Sequence, residues 1–327
     1  MKIDKEQTLQ LKGIAILLLL YHHFYFETTN IILLNTSRYG KITVGIFTFL
    51  SGYGITASYL KNKKNNCSFL LKNIKKLYKT YWPIFIITIF IGTITNIRTL
   101  KIAYKSNVMS IFIWDIFGLS YLFYNKTFNT TWWYMSLIIV LYICYKPIYI
   151  YLNKGSFRNK TIKLILMMAC LKIFPRILLK IYYNSYLLAL SKVTYNFDYM
   201  SIFMIGCYTF LERDKIQEII EKYNIVMILL LIVFSSIRIY KPNTKLDFII
   251  VFLLCGIYIN GNFYFQNFLE FLGKYSFEIF LTHTFLYYYY IPGVINITKY
   301  NGLNFIWFTL LSVAVGVITN KSLNKRL

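Results

Sequence analysis

Residues 12–23 read KGIAILLLLYHH and place a lysine and a histidine eleven positions apart in an otherwise apolar run. Eleven α-helical steps of 100° come to about 20° more than three turns, so Lys12 and His23 share one helix face, roughly 16 Å apart along the axis. Only three histidines occur among the 327 residues, and His22 and His23 are two of them. A polar ring in hydrocarbon is costly unless it has a partner or borders an aqueous cavity. The stretch therefore predicts a membrane-embedded helix with one polar face that lines a site.

The composition extends this prediction to the whole chain. Hydrophobic residues make up 57% and charged residues 15%, and the mean hydropathy is +0.51. Apolar segments of about 15 to 22 residues recur with short polar gaps, each near the length that crosses roughly 30 Å of hydrocarbon. We therefore expect an all-α polytopic membrane protein with about ten transmembrane helices, built as a single transmembrane domain over residues 1–327.

The apolar pattern gives ten candidate spans and one ambiguous segment. The spans are 9–27, 42–60, 79–97, 131–150, 161–178, 197–211, 224–240, 246–260, 275–293 and 304–320. Residues 108–124 are also apolar, but they contain Asp115 and Gly118 and are predicted to be re-entrant or interfacial. Counting them as a full span leaves an eleven-span alternative open.

The formal charge of +24 is distributed in blocks rather than along one face. Residues 61–79 carry seven lysines and no acidic residue, and less basic gaps follow. Alternating basic gaps are typical of the positive-inside rule, so both termini are expected in the cytoplasm and the basic loops on anionic membrane lipids. Nucleic-acid binding is not indicated. The five cysteines form no CxxC or Cys/His spacing, and no metal site is predicted.

Several stretches together resemble one family. LKGIAILLLLYHHFYFE (11–27) resembles the first helix of the acyltransferase-3 family of integral membrane proteins, which carries a basic residue, ten residues and a functional histidine. Three further stretches match in the same order, and a basic stretch at 69–83 resembles the family's Arg-rich entry to the third helix. The three are IFTFLSGYGI (46–55), NTTWWYMSLIIVLYICYKPIY (129–149) and FLGKYSFEIFLTHTF (271–285). Two departures are Lys12 where the family usually has arginine, and lysines where arginines are common in the basic stretch.

The resemblance implies an activity and a location. It implies transfer of an acyl group, usually acetyl, from cytoplasmic acyl-CoA to a hydroxyl of a carbohydrate or lipid-linked glycan. Acyl-CoA is then a donor substrate, and no bound cofactor is expected. The resemblance also implies residence in the cell membrane.

The candidate catalytic residues lie on the first helix. Histidine is the side chain best suited to take a proton from a hydroxyl near neutral pH, and His23 could serve as this base or as a transient acyl carrier. The spacing favours His23 over His22, because only one of the two neighbours faces the Lys12 side. Glu27 is four residues beyond His23 and is a candidate to orient its ring, with an exposed helix end as the alternative.

The remaining candidates bind the two substrates. Lys72, Lys75 and Lys76 are predicted to contact the phosphates of CoA, although a positive-inside signal also explains them. His283 and Ser276, seven residues apart on one helix face, are predicted to line the acceptor site. A helix–helix hydrogen bond is the alternative for His283. Trp133 and Tyr134 are candidates to stack on adenine or sugar, or belong to an interfacial aromatic belt.

Two other functions remain open from the sequence. A polysaccharide or small-solute transporter would also use about ten spans, but the chain shows no repeated half. A non-catalytic scaffold for surface assembly would tolerate substitution of Lys12 and His23. The buried ionisable residues and the family resemblance favour the acyltransferase.

Overall fold

A computed structural model describes residues 1–62, 66–181, 185–241, 244–261 and 264–324. These residues are almost entirely helical, and none of them lies in a β-strand. The all-α prediction is therefore confirmed for the described chain. Lys63 and Lys64 of the predicted basic gap lie outside the described residues.

The described residues form seventeen α-helices in a single chain order. These are α1 Lys5–Tyr25, α2 Ile31–Tyr39, α3 Ile42–Asn62, α4 Asn66–Ile94, α5 Leu100–Tyr104, α6 Val108–Ile116, α7 Ser120–Tyr124, α8 Trp133–Leu152, α9 Phe157–Ile181, α10 Ser185–Leu211, α11 Arg213–Lys222, α12 Asn224–Tyr240, α13 Asp247–Asn260, α14 Gln266–Lys274, α15 Ser276–Thr284, α16 Pro292–Ile295 and α17 Asn301–Asn324. A 3₁₀ turn over Thr130–Trp132 precedes α8, a second covers Thr244–Leu246, and a π-helical turn over Phe285–Tyr290 continues α15.

Every predicted span coincides with a helix, but the count of ten crossings is not confirmed. Among the described residues, three helices are long and apolar enough to cross a membrane, namely Phe69–Ile94, Thr130–Leu152 and Asn301–Leu323. A fourth is added if α11 and α12, which meet at 85°, form one broken span. In α1, which has 21 residues, the polar side chains of Lys12, His22 and His23 lower the hydropathy. The groups that predict a site thus weaken the helix as a spanning segment.

The ambiguous segment 108–124 is not one helix. It forms α6, with nine residues, and α7, with five, and Gly118 between them has a φ of +65°. A nine-residue helix is about 14 Å long, less than half the thickness of the hydrocarbon layer. A full eleventh span is therefore not formed by this segment.

Two helix pairs approach each other closely through reciprocal glycines. In the pairs α1–α14 and α3–α10, a Cβ on the glycine of either helix would overlap a backbone carbonyl of its partner. Gly13 faces Leu269 and Gly273 faces Leu9, while Gly52 faces Phe203 and Gly206 faces Phe49. Small residues of this kind let helix backbones approach within a membrane protein. The first pair fixes α1 beside the segment that leads into α15.

The π-helical turn after α15 holds the other end of α1. The hydroxyl of Tyr287 donates a hydrogen bond to the carbonyl of Phe24 at 3.1 Å, and Tyr288 donates to the carbonyl of His23, also at 3.1 Å. π-Helical turns are frequent at functional sites because the extra residue redirects side chains. The C-terminal end of α1 is consequently fixed against the end of α15.

Candidate active site

All three histidines of the chain meet in one cluster. The ring centroids of His22 and His23 are 5.0 Å apart, and those of His23 and His283 are also 5.0 Å apart. His22 and His23 come from α1, whereas His283 comes from the last turn of α15. The packing of α15 against α1 therefore assembles a histidine cluster from two distant parts of the chain.

His22 has a structural partner. Its Nδ1 lies 2.8 Å from the carbonyl oxygen of Ser37 in α2. Because a carbonyl only accepts, Nδ1 of His22 must carry a proton and donate it. His22 thus joins α1 to α2, which agrees with the preference for His23 as the reactive ring.

His23 lies between Tyr288 and His283. Its Nδ1 is 3.5 Å from the hydroxyl of Tyr288, a long contact, and the same hydroxyl donates to the backbone carbonyl of His23. The Tyr288 proton is therefore used on the carbonyl, and the hydroxyl can accept a hydrogen bond from Nδ1 of His23. This arrangement leaves the Nε2 lone pair of His23 available for proton transfer.

The tautomer of His283 follows from its surroundings. Its Nδ1 lies 3.0 Å from the carbonyl oxygen of Ile279 and 2.9 Å from that of Phe280, so Nδ1 must be a donor. In the neutral ring, Nε2 is then an acceptor. Nε2 is buried and has no hydrogen-bond partner within the described part of the chain. A buried acceptor nitrogen thus lies in the ring next to His23.

The cluster borders the first of two cavities. A cavity of about 530 Å³, here called the His23 cavity, is lined by His23, Glu27, Lys41, Thr131, Trp133 and Tyr288, among others. A smaller cavity of about 160 Å³, called the Lys12 cavity, is lined by Lys12, Ser51, Tyr134, Tyr142, Ser276 and Phe280, among others. Lys12 and His23 therefore face two different cavities along the same helix.

A thin layer of side chains separates the two cavities. Trp133 lines the His23 cavity, whereas its neighbour Tyr134 lines the Lys12 cavity. The Tyr134 ring packs against Phe280 at a centroid distance of 5.5 Å, and the Phe280 ring lies 6.4 Å from that of His283. One turn of α15 thus reaches from the Lys12 cavity to the histidine cluster.

The predicted site residues are divided between these cavities. Lys12, Ser276 and Tyr134 line the smaller one, and His23, Glu27 and Trp133 line the larger one. Ser276 and His283 lie on the same helix but at the two ends of α15, so they contribute to different regions. Because α1 ends at Tyr25, Glu27 lies in the turn beyond it and is exposed. Within the described chain, Glu27 forms no hydrogen bond with His23.

The three predicted phosphate-binding lysines lie on the outer face of α4. Lys72, Lys75 and Lys76 are all exposed, whereas Leu77 of the same helix lines the Lys12 cavity. At 100° per residue, the three lysines point about 100° to 160° away from Leu77. They lie at the same end of the molecule as the Lys12 cavity but do not line it.

The sequence analysis missed three polar residues of this region. Thr131 and Tyr288 line the His23 cavity, and Asn129 lies buried behind Thr131. An Asn-Thr-Thr sequence directly before an apolar helix is a helix-start signal, which could have indicated the first two of these positions. The run of four tyrosines at 287–290 gave no comparable signal for Tyr288.

Opposite charges lie at the His23 cavity. Lys41, in the turn between α2 and α3, and Glu27 both line it. Burial, followed by repulsion from Arg238 and Arg38, lowers the pKa of Lys41. The cavity thus presents a cation and a carboxylate to a polar ligand.

A buried carboxylate fixes the turn that leads into α8. Asp115 accepts hydrogen bonds from the hydroxyl of Tyr104 at 2.8 Å, the hydroxyl of Ser120 at 2.7 Å and the backbone N–H of Phe128 at 2.6 Å. Phe128 directly precedes Asn129. Asp115 therefore connects the 108–124 segment to the wall of the His23 cavity and acts through position rather than chemistry.

We expect Asp115→Ala to destabilise the protein by about 3 kcal/mol or more, because it leaves three buried donors unpaired at roughly 1 to 3 kcal/mol each. Thermal unfolding of the detergent-solubilised protein measures this loss. Asp214→Ala, which removes an exposed salt bridge to Lys2, should change stability by less than about 1 kcal/mol. An unfolding temperature of Asp115→Ala equal to that of the wild type would contradict the role given to Asp115.

Comparison with known proteins identifies the family. The chain matches the family model Acyl_transf_3, described as an acyltransferase domain, over residues 10–320. No individual curated protein and no solved structure matches the chain. The match covers nearly the whole chain and includes both cavities and the histidine cluster. The chain therefore belongs to the acyltransferase-3 family of membrane proteins and is an acyltransferase.

Proposed function

We propose that this protein transfers an acetyl group from acetyl-CoA, held on the Lys12 side, to a hydroxyl of a glycan bound in the His23 cavity. The observation that carries the proposal is the position of the three histidines at the boundary between two cavities of unequal size. Acyl transfer needs a proton acceptor where the two substrates meet, and the His23–His283 pair is the histidine site available there.

The donor side is argued from size and charge. The Lys12 cavity, at about 160 Å³, suits a narrow thioester arm rather than a whole nucleotide. Lys12 is a single cation within it, and a lysine binds a phosphate as a point charge. The exposed Lys72, Lys75 and Lys76 then attract the multiply charged nucleotide from outside the cavity.

The acceptor side is argued from volume and polarity. The His23 cavity has about 530 Å³, within the usual range for a small-molecule site. Trp133 offers a ring face to a sugar, and Glu27 and Lys41 offer an acceptor and donors to its hydroxyl groups. These features support a carbohydrate or lipid-linked glycan as acceptor.

The chemistry assigns the proton to His23. The acceptor hydroxyl gives its proton to Nε2 of His23 while its oxygen forms a bond to the thioester carbonyl carbon. Collapse of the tetrahedral intermediate breaks the carbon–sulfur bond, and the His23 imidazolium returns the proton to the leaving thiolate. The acceptor nitrogen of His283 stabilises the transient imidazolium next to it.

The same proposal includes the topology. We place the beginning of α1 and the basic lysines of α4 in the cytoplasm, with ten crossings and both termini on that side of the cell membrane. The distribution of basic residues supports this orientation. It puts the Lys12 cavity toward cytoplasmic acetyl-CoA and the His23 cavity toward the outer surface.

The test uses purified protein in nanodiscs with acetyl-CoA. We expect saturable acetyl-CoA binding by calorimetry, and free CoA release when a membrane extract from the native cell is added as acceptor source. Dephosphorylated pantetheine thioesters should bind more weakly, because they lack the charges that the lysines attract. The absence of both acetyl-CoA binding and CoA release would contradict the proposed function and favour the transporter.

A further inference from the structure

Asn129 carries a buried donor whose orientation is fixed by its neighbours. It is 0% exposed, in the residue before the 3₁₀ turn that precedes α8. Its Oδ1 accepts hydrogen bonds from the backbone N–H of Thr131 at 3.2 Å, the hydroxyl of Thr131 at 3.1 Å and the hydroxyl of Thr284 at 2.8 Å. A backbone N–H can only donate, so the atom facing it must be the amide oxygen. The identity of Nδ2 follows from this contact.

Nδ2 of Asn129 has no hydrogen-bond partner among the described residues. Buried polar groups in native proteins are nearly always paired, and each exception calls for an explanation such as catalysis. Fixing the oxygen with three bonds while the nitrogen stays unpaired is the arrangement of a donor prepared for a ligand.

The position of Asn129 connects it to the reacting groups. Thr131, which donates to Asn129 twice, lines the His23 cavity. Thr284, its other partner, directly follows His283 on α15. Nε2 of His283 is likewise buried without a partner in the described chain. The region around His23 therefore contains one unpaired donor and one unpaired acceptor, the two groups that an acyl carbonyl and a proton in transfer require.

We propose that Asn129 is a catalytic residue that donates its Nδ2–H to the carbonyl oxygen of the acyl group in the tetrahedral intermediate. The proposal rests on the acyl transfer proposed above. When the acceptor oxygen bonds to the carbonyl carbon, the π electron pair moves onto the carbonyl oxygen, and Asn129 stabilises the resulting oxyanion. The acceptor's proton moves to His23, and the carbon–sulfur bond breaks as the oxyanion collapses to the new ester. A fixed donor in a water-poor site is effective because it needs no reorientation during the reaction.

The variant Asn129→Asp separates the donor from the fold. Aspartate keeps oxygen atoms that can accept from Thr131 and Thr284, but it has no N–H to offer. We expect kcat to fall about 10² to 10³-fold, with the KM for acetyl-CoA changed less than about threefold. Asn153→Asp, the same substitution at the exposed end of α8, is the matched control and should keep kcat within about twofold. A kcat of Asn129→Asp within about threefold of the wild type would overturn the proposal.

A measurement on the wild type keeps the test independent of variant folding. The carbonyl stretch of ¹³C-labelled acetyl-CoA, bound without acceptor, should shift to lower frequency than in water-free reference solvent, because a hydrogen bond weakens the C=O bond. The shift should disappear in Asn129→Asp. An unshifted carbonyl in the wild-type complex would also overturn the proposal. Normal CoA release by the wild type in either case would show that acyl transfer stands and only the role of Asn129 fails.

Discussion

Replacing His23 with alanine lowers the rate of acyl transfer by at least about 10²-fold, the lower end of what general acid–base catalysis contributes. The reason is that the ring lies at the boundary of the two cavities, next to the acceptor nitrogen of His283, where no other side chain of α1 can take a hydroxyl proton. CoA release from acetyl-CoA in nanodiscs, measured with saturating acceptor extract, gives the rate. Thermal unfolding should show a folded protein, since His23 is half-buried and its side chain has only the long contact to Tyr288.

The neighbouring histidine is the matched comparison for this experiment. His22→Asn keeps an amide donor for the Ser37 carbonyl and should cost far less activity than His23→Ala. Quenching the wild type after acetyl-CoA but before acceptor distinguishes the two roles open to His23. Label retained on the protein would indicate an acyl carrier, and its absence a base. A His23→Ala rate within tenfold of the wild type would contradict both roles.

Replacing His283 with asparagine lowers kcat about 10²-fold and leaves the KM for acetyl-CoA nearly unchanged. Asparagine offers an N–H near the position of Nδ1, so it can still donate to the carbonyls of Ile279 and Phe280. It cannot supply the acceptor that Nε2 presents to His23. The expected loss is therefore in the rate of transfer, of the size found when one general acid–base group is removed.

His283→Leu is the contrast that separates chemistry from folding. It removes the donor as well as the acceptor and leaves the helix carbonyls without their side-chain partner, at a further cost of about 1 kcal/mol in stability. We expect both variants to lose activity, but only His283→Leu to unfold at a clearly lower temperature. Wild-type kcat in His283→Asn would show that His283 serves only the packing of α15.

The first helix shows how far the sequence alone determines the site. The spacing of Lys12 and His23 predicts one polar helix face, and the structure places both residues on cavity walls along α1. This prediction succeeds because the geometry within one helix depends only on its local period. The all-helical class was predictable for a related reason, since apolar segments of membrane length leave few alternatives to helices. The number of crossings was less certain, because functional polar residues lower the apolarity of helices such as α1.

Contacts between distant segments were decided by the tertiary structure alone. No local rule brings His283 beside His23; the close packing of α1 with α14 and the π-helical turn after α15 do so. In the same way, Trp133 and Tyr134 were predicted together, but adjacent helix residues point about 100° apart and here face different cavities. Lys72, Lys75 and Lys76 lie on the outer face of α4, because its other face packs against the bundle.

Asn129 gives the clearest limit of the sequence. Its letters predict only a helix start, whereas its function depends on which of its atoms are paired after folding. Thr284 lies more than 150 positions away, and only packing brings its hydroxyl to Oδ1 and leaves Nδ2 without a partner. The sequence by itself thus determined the helices, the polar face of α1 and the family. The tertiary structure alone decided which histidines meet, how the two cavities are divided and which buried donor remains for the substrate, because these depend on contacts between helices that no local pattern encodes.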